Sequence, residues 1–429
     1  MKKKRTPGFV FIVLLVLGTL SGIRGEKLLA SSARHITLTF SAGHDPSGIH
    51  EALIRRFEET HPDIKIRVLE LPNSTDGQHE RYVTALAAED SSLDVIAADI
   101  IWPPEFASAG WLLPLDPFLP PSEQKKFIDG ATQGVRYKGK LYAVPWFCNA
   151  GLLFYRKDLL EKEGLSPPRT WDDLLKAAGL LQRKYKIDGL VFQAARYEGL
   201  VCDFLEYLWG NGGDVFDKDG NITIDRPEAI EALQFLTDLI HKHRLTARAV
   251  TSYQEQESFI AFTQGHAAFL RSWPYVYMLS FGKDSRVAGK VGMVPMVYNK
   301  GKSAGTLGAW NLAISRFSKH PKESWEFIRF LSSHESQVLA TLKGRTPSLK
   351  SVYGDPRIKK EAPYLSVFYR TLAAGKPRPV TPLYPKISII LQIQVHRAIT
   401  REISPEAALK EAARKIRNLY NKYKLPVGT

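Results

Sequence analysis

Early in the chain, strand and helix patterns alternate, and this alternation restricts the fold more than any other feature. Apolar and polar residues alternate at 36–43, 64–71 and 93–100, as they do in half-buried strands. Residues 49–62 and 80–90 lie between these strands and have apolar residues at helical spacing. Because strand–helix–strand units close with right-handed crossovers, the three strands are predicted to lie parallel in one α/β sheet.

The loops that follow these three strands are the first candidates for a binding site. In open α/β sheets, ligands bind outside the carboxyl ends of the strands. The loops here span residues 41–45, 73–81 and 99–102. The sequence therefore predicts that a ligand would contact residues of these loops.

The chain is too long for one core, and prolines interrupt two of its strand patterns. Its 429 residues exceed the roughly 250–300 residues at which single cores stop growing. The interruptions are at Pro145 and Pro295, and we predict two lobes joined by a hinge at these strands. The predicted first lobe is 34–146 with 298–345, and the second is 147–297 with 346–429.

The N-terminus has the pattern of an export signal. A basic start precedes an apolar run at 9–20, which is too short to span a bilayer and has the length of a signal-peptide core. We predict a signal peptide at 1–33, with cleavage between residues 25 and 33. Since no cysteine lies near the apolar run, the mature protein is predicted to be periplasmic or extracytoplasmic without a lipid anchor.

The basic net charge does not indicate a nucleic-acid partner. Cleavage after Gly25 would remove five basic residues and lower the formal charge from +15 to +10. The remaining lysines and arginines are scattered among acidic residues and form no arm or stripe. We therefore expect a basic solvated surface, no nucleic acid partner, and a monomer.

Catalytic and metal-binding signatures are missing from the sequence. The triplet at 301–303 resembles the end of a phosphate-binding loop, but Met296 occupies its required first glycine position. There is no zinc-protease motif, no nucleophile elbow, and no Cys or His cluster at zinc spacing. We predict no cofactor, no metal and no enzymatic activity, although the many carboxylates leave a glycosidase pair open.

Two features of the sequence bear on packing and on ligand chemistry. Cys148 and Cys202 are the only cysteines, and a disulfide and two buried thiols both remain open. The segment 269–279 places Trp273, Tyr275 and Tyr277 around a proline. Rings with polar edges in a broken segment suit a ligand with apolar faces and many hydroxyls, namely a sugar; a core role for these rings is the alternative.

Several longer segments resemble one protein family. "RYKGKLYAVPWFCNAGLLFYRKDLLEKEGLSPPRTWDDLL", "FTQGHAAFLRSWPYVY", "GAWNLAIS" and "PKESWEFIRFLSSHESQ" are similar to the family 1 extracellular solute-binding proteins of ABC importers. "ADIIWPPEFASAGWLLPLD", "LGAW" and "RPVTPLYPKIS" resemble the trehalose/maltose-binding branch. The resemblance implies a periplasmic-binding-protein type II fold, with two α/β lobes joined by hinge strands. It also implies a sugar held in the cleft and passed to a membrane permease.

The resemblance also implies roles for individual residues. Trp273 and Trp310 match sugar-stacking rings, Tyr275 would line the same cleft, and Gly308 would leave room beside the second ring. The polar positions implied for binding are Asp99, Asn149, Glu255, Arg378, Arg81 and Gln78, with Gly43 in the first loop. Glu257 is an alternative to Glu255, and Asn149 replaces the acidic residue that is usual at its position.

The predicted function is capture of a disaccharide or oligosaccharide, trehalose or maltose-like, for the transmembrane subunits of an ABC permease. A binder of another solute, such as glycerol phosphate or a polyamine, is the alternative. A secreted glycosidase is a further alternative and would require a suitably spaced carboxylate pair.

Overall fold

The computed structural model describes residues 35–45, 47–72 and 74–423. The predicted signal peptide lies outside these residues. The strands are β1 (Ile36–Gly43), β2 (Ile64–Leu71), β3 (Val95–Asp99), β4 (Arg136–Tyr137), β5 (Lys140–Leu141), β6 (Val144–Ala150), β7 (Leu152–Arg156), β8 (Asp188–Val191), β9 (Ala267–Ser272), β10 (Val291–Val294) and β11 (Leu307–Ile314).

Helices cover the sheets and fill the C-terminal part of the described chain. They are α1 (Ile49–Thr60), α2 (Thr75–Ala87), α3 (Pro103–Ser108), α4 (Pro121–Gln124), α5 (Asp129–Gly134), α6 (Lys157–Lys162), α7 (Trp171–Tyr185), α8 (Glu198–Gly210), α9 (Pro227–His241), α10 (Glu255–Thr263), α11 (Tyr275–Leu279), α12 (Pro321–Leu331), α13 (His334–Leu342), α14 (Pro356–Glu361), α15 (Leu365–Ala373), α16 (Tyr384–Ile399) and α17 (Pro405–Tyr423). Short 3₁₀ helices occupy Arg248–Ser252 and Lys350–Gly354. Within the described residues, no helix combines the length and apolar composition that a bilayer crossing requires.

The predicted alternation of strands and helices is confirmed at the start of the described chain. The bounds of β1 and β2 match the predicted strands, and β3 lies within the third. The second helix begins at Thr75 rather than at residue 80, because the Ser74 side chain accepts a hydrogen bond from the Gly77 amide (3.2 Å) and caps it. The predicted loop at 73–81 is therefore mostly helix.

The first sheet mixes parallel and antiparallel pairing, in the order β2-β1-β3-β11-β6. Strand β1 lies parallel to β2 and β3, as predicted. Strand β11 enters from much later in the chain and pairs antiparallel with both β3 and β6. This insertion brings Trp310 opposite Asp99 and Gly308 opposite Asn149.

The second sheet has the order β10-β7-β9-β8 and forms the centre of the second lobe. Strands β8 and β9 are parallel, and the other two pairings are antiparallel. Helices α16 and α17 pack on α8 and α9 beside this sheet, around a second core. The two α/β lobes that were predicted are present.

The first passage between the lobes lies later than predicted. Strand β6 ends at Ala150 in the first sheet, and β7 begins at Leu152 in the second, so the crossing is at Gly151 rather than after residue 146. Pro145 does not end its strand, because a shift in register opposite Asn311 accommodates the missing N–H group. The second proline does end a strand, since β10 stops at Val294.

The last passage between the lobes also differs from the prediction. Residues 346–373 were assigned to the second lobe, but they pack on the first. Ser348 accepts a hydrogen bond from the Ile128 amide (2.9 Å) and donates from its hydroxyl to the Pro145 carbonyl (2.7 Å). Helix α15 packs against β6. The chain therefore returns to the second lobe between α15 and α16.

A buried ion pair lies beside the first two crossings. Arg271 donates from Nε to Glu206 (2.7 Å), and both side chains are fully buried. Glu206 also accepts from the Thr306 amide (2.8 Å), and the Gly151 amide donates to the Thr306 carbonyl (3.1 Å). A Cβ atom at Gly151 would collide with the Glu206 carboxylate and the Arg271 guanidinium. The crossing therefore requires glycine at residue 151.

We predict that Gly151→Ala lowers the free energy of unfolding by at least about 1–3 kcal/mol, because the added methyl overpacks a closed site. Urea unfolding followed by circular dichroism measures this loss. Gly354→Ala is the matched control, since a Cβ atom there meets no atom within 4 Å. Equal stability of the two variants would contradict the prediction.

Candidate functional site

A cavity of about 250 Å³ has walls from both lobes. The first lobe contributes the end of β3, the facing strands β6 and β11, and the turn after α13. The second lobe contributes the start of α8, the start of α10 and the turn after β9. The lining residues are Thr75, Asp99, Phe147, Asn149, Glu198, Gly199, Cys202, Glu255, Trp273, Pro274, Tyr275, Gly308, Ala309, Trp310, Gly344, Arg345, Thr346 and Arg378.

Eight of the eleven predicted site residues line this cavity, and three lie outside it. Gln78 is buried in α2, donates to the Pro72 carbonyl (2.8 Å) and packs over Gly43. Arg81 is exposed on the next turn of the same helix. Because α2 starts at Thr75, its first residue lines the cavity in place of these later positions.

The two tryptophans of the cavity are fixed by different means. Trp310 lies on β11 and contacts Trp102 edge to face, with ring centroids 5.7 Å apart. Trp273 follows β9, and the Arg271 guanidinium lies 4.4 Å from its ring centroid. Pro274 then precedes α11 as its N-cap residue and turns the chain, so the ring stands at the end of a strand. Each ring therefore has a rigid support within its own lobe.

The two glutamates of α10 make different contacts. Glu255 lines the cavity, accepts from the Tyr197 hydroxyl (2.8 Å) and lies 3.4 Å from the Trp273 indole nitrogen. Glu257 instead accepts from the Gln254 amide (2.9 Å) and caps the helix. Only Glu255 is therefore placed to contact a ligand in the cavity.

Gly308 creates the space that Asn149 and Trp273 occupy. A Cβ atom at residue 308 would collide with the Asn149 carboxamide and would come 3.4 Å from the Trp273 ring. The buried Oδ1 of Asn149 accepts no hydrogen bond from the described residues. Because a buried acceptor without a donor is costly, this oxygen is suited to accept a ligand hydroxyl.

Charged groups in the cavity are mostly paired. Arg378 donates to Asp99 (2.9 Å) and to Glu198 (2.8 Å), and so connects a strand of the first lobe with a helix of the second. Arg345 pairs with Asp45 (3.2 Å) and lies 4.8 Å from the Phe147 ring centroid. The cavity therefore contains both signs of charge without a large excess of either.

Glu198 and Arg345 are lining residues that the sequence analysis missed. Every residue of α8 is buried, and three acidic residues stand in this apolar helix: Glu198, Asp203 and Glu206. Buried carboxylates in an apolar helix are unusual unless they are paired. This pattern is the feature of the sequence that could have indicated Glu198. No pattern of neighbouring residues distinguishes Arg345.

Comparison with known proteins agrees with this geometry. A family model described as bacterial extracellular solute-binding protein matches residues 43–338. A probable ABC transporter-binding protein of Deinococcus radiodurans is 33% identical over 399 residues, which cover 89% of this chain and 93% of the relative.

The chain belongs to the bacterial extracellular solute-binding proteins. Membership in this family implies an exported protein that serves an ABC transporter by binding a solute.

Two solved structures share the two-lobed fold of this solute-binding protein. Maltose-bound MalE3 of T. maritima has a TM-score of 0.86 and 40% sequence identity, and the match covers 90% of this chain and all of that one. The GacH receptor of Streptomyces glaucescens, solved unliganded and with acarbose, has a TM-score of 0.80 and 26% identity, covering 89% of this chain and 98% of that one.

The two cysteines of the solute-binding protein are free thiols. Cys148 donates to the Pro347 carbonyl (3.5 Å), and burial raises the pKa of its thiol to about 12. Cys202 lines the cavity near Glu198, and burial raises its pKa as well. The disulfide that the sequence left open is absent from the described structure.

Asp76 is an acidic residue of α2 that faces the second lobe. Burial raises the pKa of its carboxyl to about 6, and the nearby charge of Glu198 on α8 acts in the same direction. The nearby Gln392 side chain on α16 acts in the opposite direction and lowers this pKa. The folded protein therefore favours the protonated form of Asp76 below about pH 6.

We predict that Asp76→Asn makes the protein more stable relative to wild type as the pH rises. The raised pKa of Asp76 stabilises the fold below about pH 4, and this contribution is lost as the pH rises through 6. Between pH 4 and pH 8 the difference in unfolding free energy should grow by about 2–3 kcal/mol in favour of the variant. Urea unfolding at five pH values tests this, and a difference independent of pH would contradict it.

Proposed function

We propose that this solute-binding protein captures a neutral disaccharide or short oligosaccharide, trehalose or maltose-like, and delivers it to the permease of an ABC importer. The main support for this proposal is the composition of one cavity. It contains two tryptophan rings, each held within its own lobe, and an amide oxygen without a hydrogen-bond donor among the described residues. These residues are Trp273, Trp310 and Asn149. We further propose that the mature chain acts as a periplasmic or extracytoplasmic monomer without a lipid anchor.

The chemistry of the lining suits a pyranose. The apolar C–H face of a sugar ring packs on an aromatic face, while indole and phenol edges keep their hydrogen-bonding groups. Trp273 and Tyr275 lie on the second-lobe side and Trp310 on the first, so a sugar between them would contact both lobes. Asn149 and Glu255 offer acceptors for hydroxyls beside these rings.

The similar solved structures support a sugar ligand. MalE3 of T. maritima binds maltose, and the GacH receptor binds acarbose. Both are more than 25% identical to this chain over about nine tenths of its length. We propose a ligand of the same chemical class here.

The charges of the cavity favour a neutral ligand over the alternatives. A phosphate ligand requires free cationic donors, but Arg378 and Arg345 already pair with carboxylates. A polyamine requires several free carboxylates, whereas Asp99 and Glu198 both bind Arg378 and only Glu255 lacks a cation among the described lining residues. A glycosidase requires two available carboxylates, and the same pairing leaves Glu255 as the one lining carboxylate without a cation partner among the described residues.

We predict that a disaccharide, but neither glycerol 3-phosphate nor spermidine, raises the melting temperature of residues 34–429. A ligand at 100 times its dissociation constant should stabilise by about 2.7 kcal/mol. The panel is trehalose, maltose, sucrose, glucose, glycerol 3-phosphate and spermidine. A shift with the phosphate or the amine alone would overturn the proposed ligand class and leave the family membership standing.

We predict that Trp273→Ala weakens binding of the sugar that shifts melting by roughly 10- to 100-fold, because a buried aromatic surface is lost. Isothermal titration calorimetry measures the dissociation constant. Trp111→Ala is the matched control, since this partly buried tryptophan of the first lobe does not line the cavity. If Trp273→Ala melts cooperatively and binds the sugar with unchanged affinity, the stacking role of Trp273 is contradicted.

A further inference from the structure

Glu198 is a buried carboxylate on the second-lobe wall of the cavity. It is the first residue of α8, and only 4% of its surface is exposed. Its carboxylate accepts hydrogen bonds from Arg378 Nη1 (2.8 Å), from the Tyr384 hydroxyl (2.8 Å) and from the Ser388 hydroxyl. A buried charge is stable only when it is paired and hydrogen-bonded, and these donors supply both kinds of contact.

These donors come from two different parts of the chain. Tyr384 and Ser388 lie on α16, which packs against α8 within the second lobe. Arg378 lies on the last crossing segment, between α15 and α16. Glu198 therefore attaches the crossing segment to the second lobe immediately before α16 begins. Tyr384 adds a second contact, since the Arg378 guanidinium lies 5.9 Å from its ring centroid.

The arginine that Glu198 holds reaches the other lobe. Arg378 Nη2 donates to Asp99 Oδ1 (2.9 Å), at the end of β3, and the same oxygen accepts from the Ile101 amide (3.2 Å). Both terminal nitrogens of Arg378 are thus engaged by carboxylates. Its Nε is buried and has no acceptor among the described residues.

We propose that Glu198 is the positioning residue for Arg378 in ligand binding, an inference that rests on the proposed sugar-binding function. Glu198 fixes one end of the guanidinium in the second lobe, and Asp99 fixes the other end in the first. Arg378 lines the cavity, and two of its five N–H groups bind these carboxylates, so the other N–H groups remain as donors for a ligand oxygen. An uncharged hydroxyl or ring oxygen matches such a donor, whereas a carboxylate or phosphate would compete with Asp99 and Glu198 for the guanidinium.

A positioning role of Glu198 can be distinguished from a purely structural role, because only the positioning role depends on Arg378. If Glu198 acts through Arg378, its effect on affinity requires the guanidinium. If Glu198 only supports the fold, its replacement affects stability and affinity whether or not Arg378 is present. A double-mutant cycle separates these two cases.

The test compares wild type, Glu198→Gln, Arg378→Met and the double variant, each titrated calorimetrically with maltose and with trehalose. We expect Glu198→Gln to raise the dissociation constant at least 10-fold in the wild-type background and less than 2-fold in the Arg378→Met background. Independent effects that multiply in the double variant would overturn the inference, as would a Glu198→Gln affinity within 2-fold of wild type. Wild type that binds neither sugar would instead defeat the proposed function itself.

A matched control and a second variant guard against loss of folding. Glu163 accepts from Lys184 Nζ (2.6 Å) and the Tyr185 hydroxyl (2.6 Å), so it too binds one cation and one tyrosine, but it lies outside the cavity. Glu163→Gln should leave both dissociation constants unchanged. If Glu198→Gln does not melt cooperatively, Glu198→Asp replaces it in the same cycle, since aspartate keeps the charge on a shorter side chain. The same changes in dissociation constant then support or overturn the inference.

Discussion

The buried pairing of Arg271 with Glu206 is the interaction on which the arrangement of the lobes depends. Glu206 also accepts from the Thr306 amide, so one carboxylate holds both a strand of the second sheet and the segment that returns to the first. The guanidinium of Arg271 lies against the Trp273 ring as well. Removing Arg271 would leave the Glu206 carboxylate buried without a cation, which costs about 3–5 kcal/mol. The passage between the lobes and the aromatic wall of the cavity thus share one support.

The cavity combines paired charges with polar atoms that have no hydrogen-bond partner in the described part of the chain. Its arginines are paired with carboxylates, whereas the Asn149 oxygen and the Arg378 Nε–H have no partner among the described residues. Paired charges hold their positions before a ligand arrives, so less conformational entropy is lost on binding. The unpaired groups supply selectivity, because a ligand that lacks the matching hydroxyl leaves them buried without a bond.

Local sequence patterns were sufficient to predict some strands and turns. Most of the features that were not predicted depend on residues far apart in the sequence. Strands β1 and β2 and the turn at Pro274 follow from adjacent residues, and their bounds were predicted closely. The bulge at Pro145 depends on a partner strand far along the chain, and the position of Arg81 depends on a cap at Ser74. Glu198 was missed because its partners lie on the last crossing segment and on α16. Placement of Asp99, Trp273 and Arg378 came from family resemblance rather than from periodicity.

The position of β11 inside the first sheet, between β3 and β6, has a consequence for how the protein folds. Asn311 bonds to Ala98 across 213 residues, and the whole second sheet lies between them in sequence. The first sheet cannot close until this late strand is available, so a large loop entropy opposes its early formation. Contacts of such long range slow folding, and a nascent chain would keep the edge of β3 open until nearly three quarters of it had been synthesised. A sheet completed this late favours a chain that remains unfolded long enough to be threaded through a membrane.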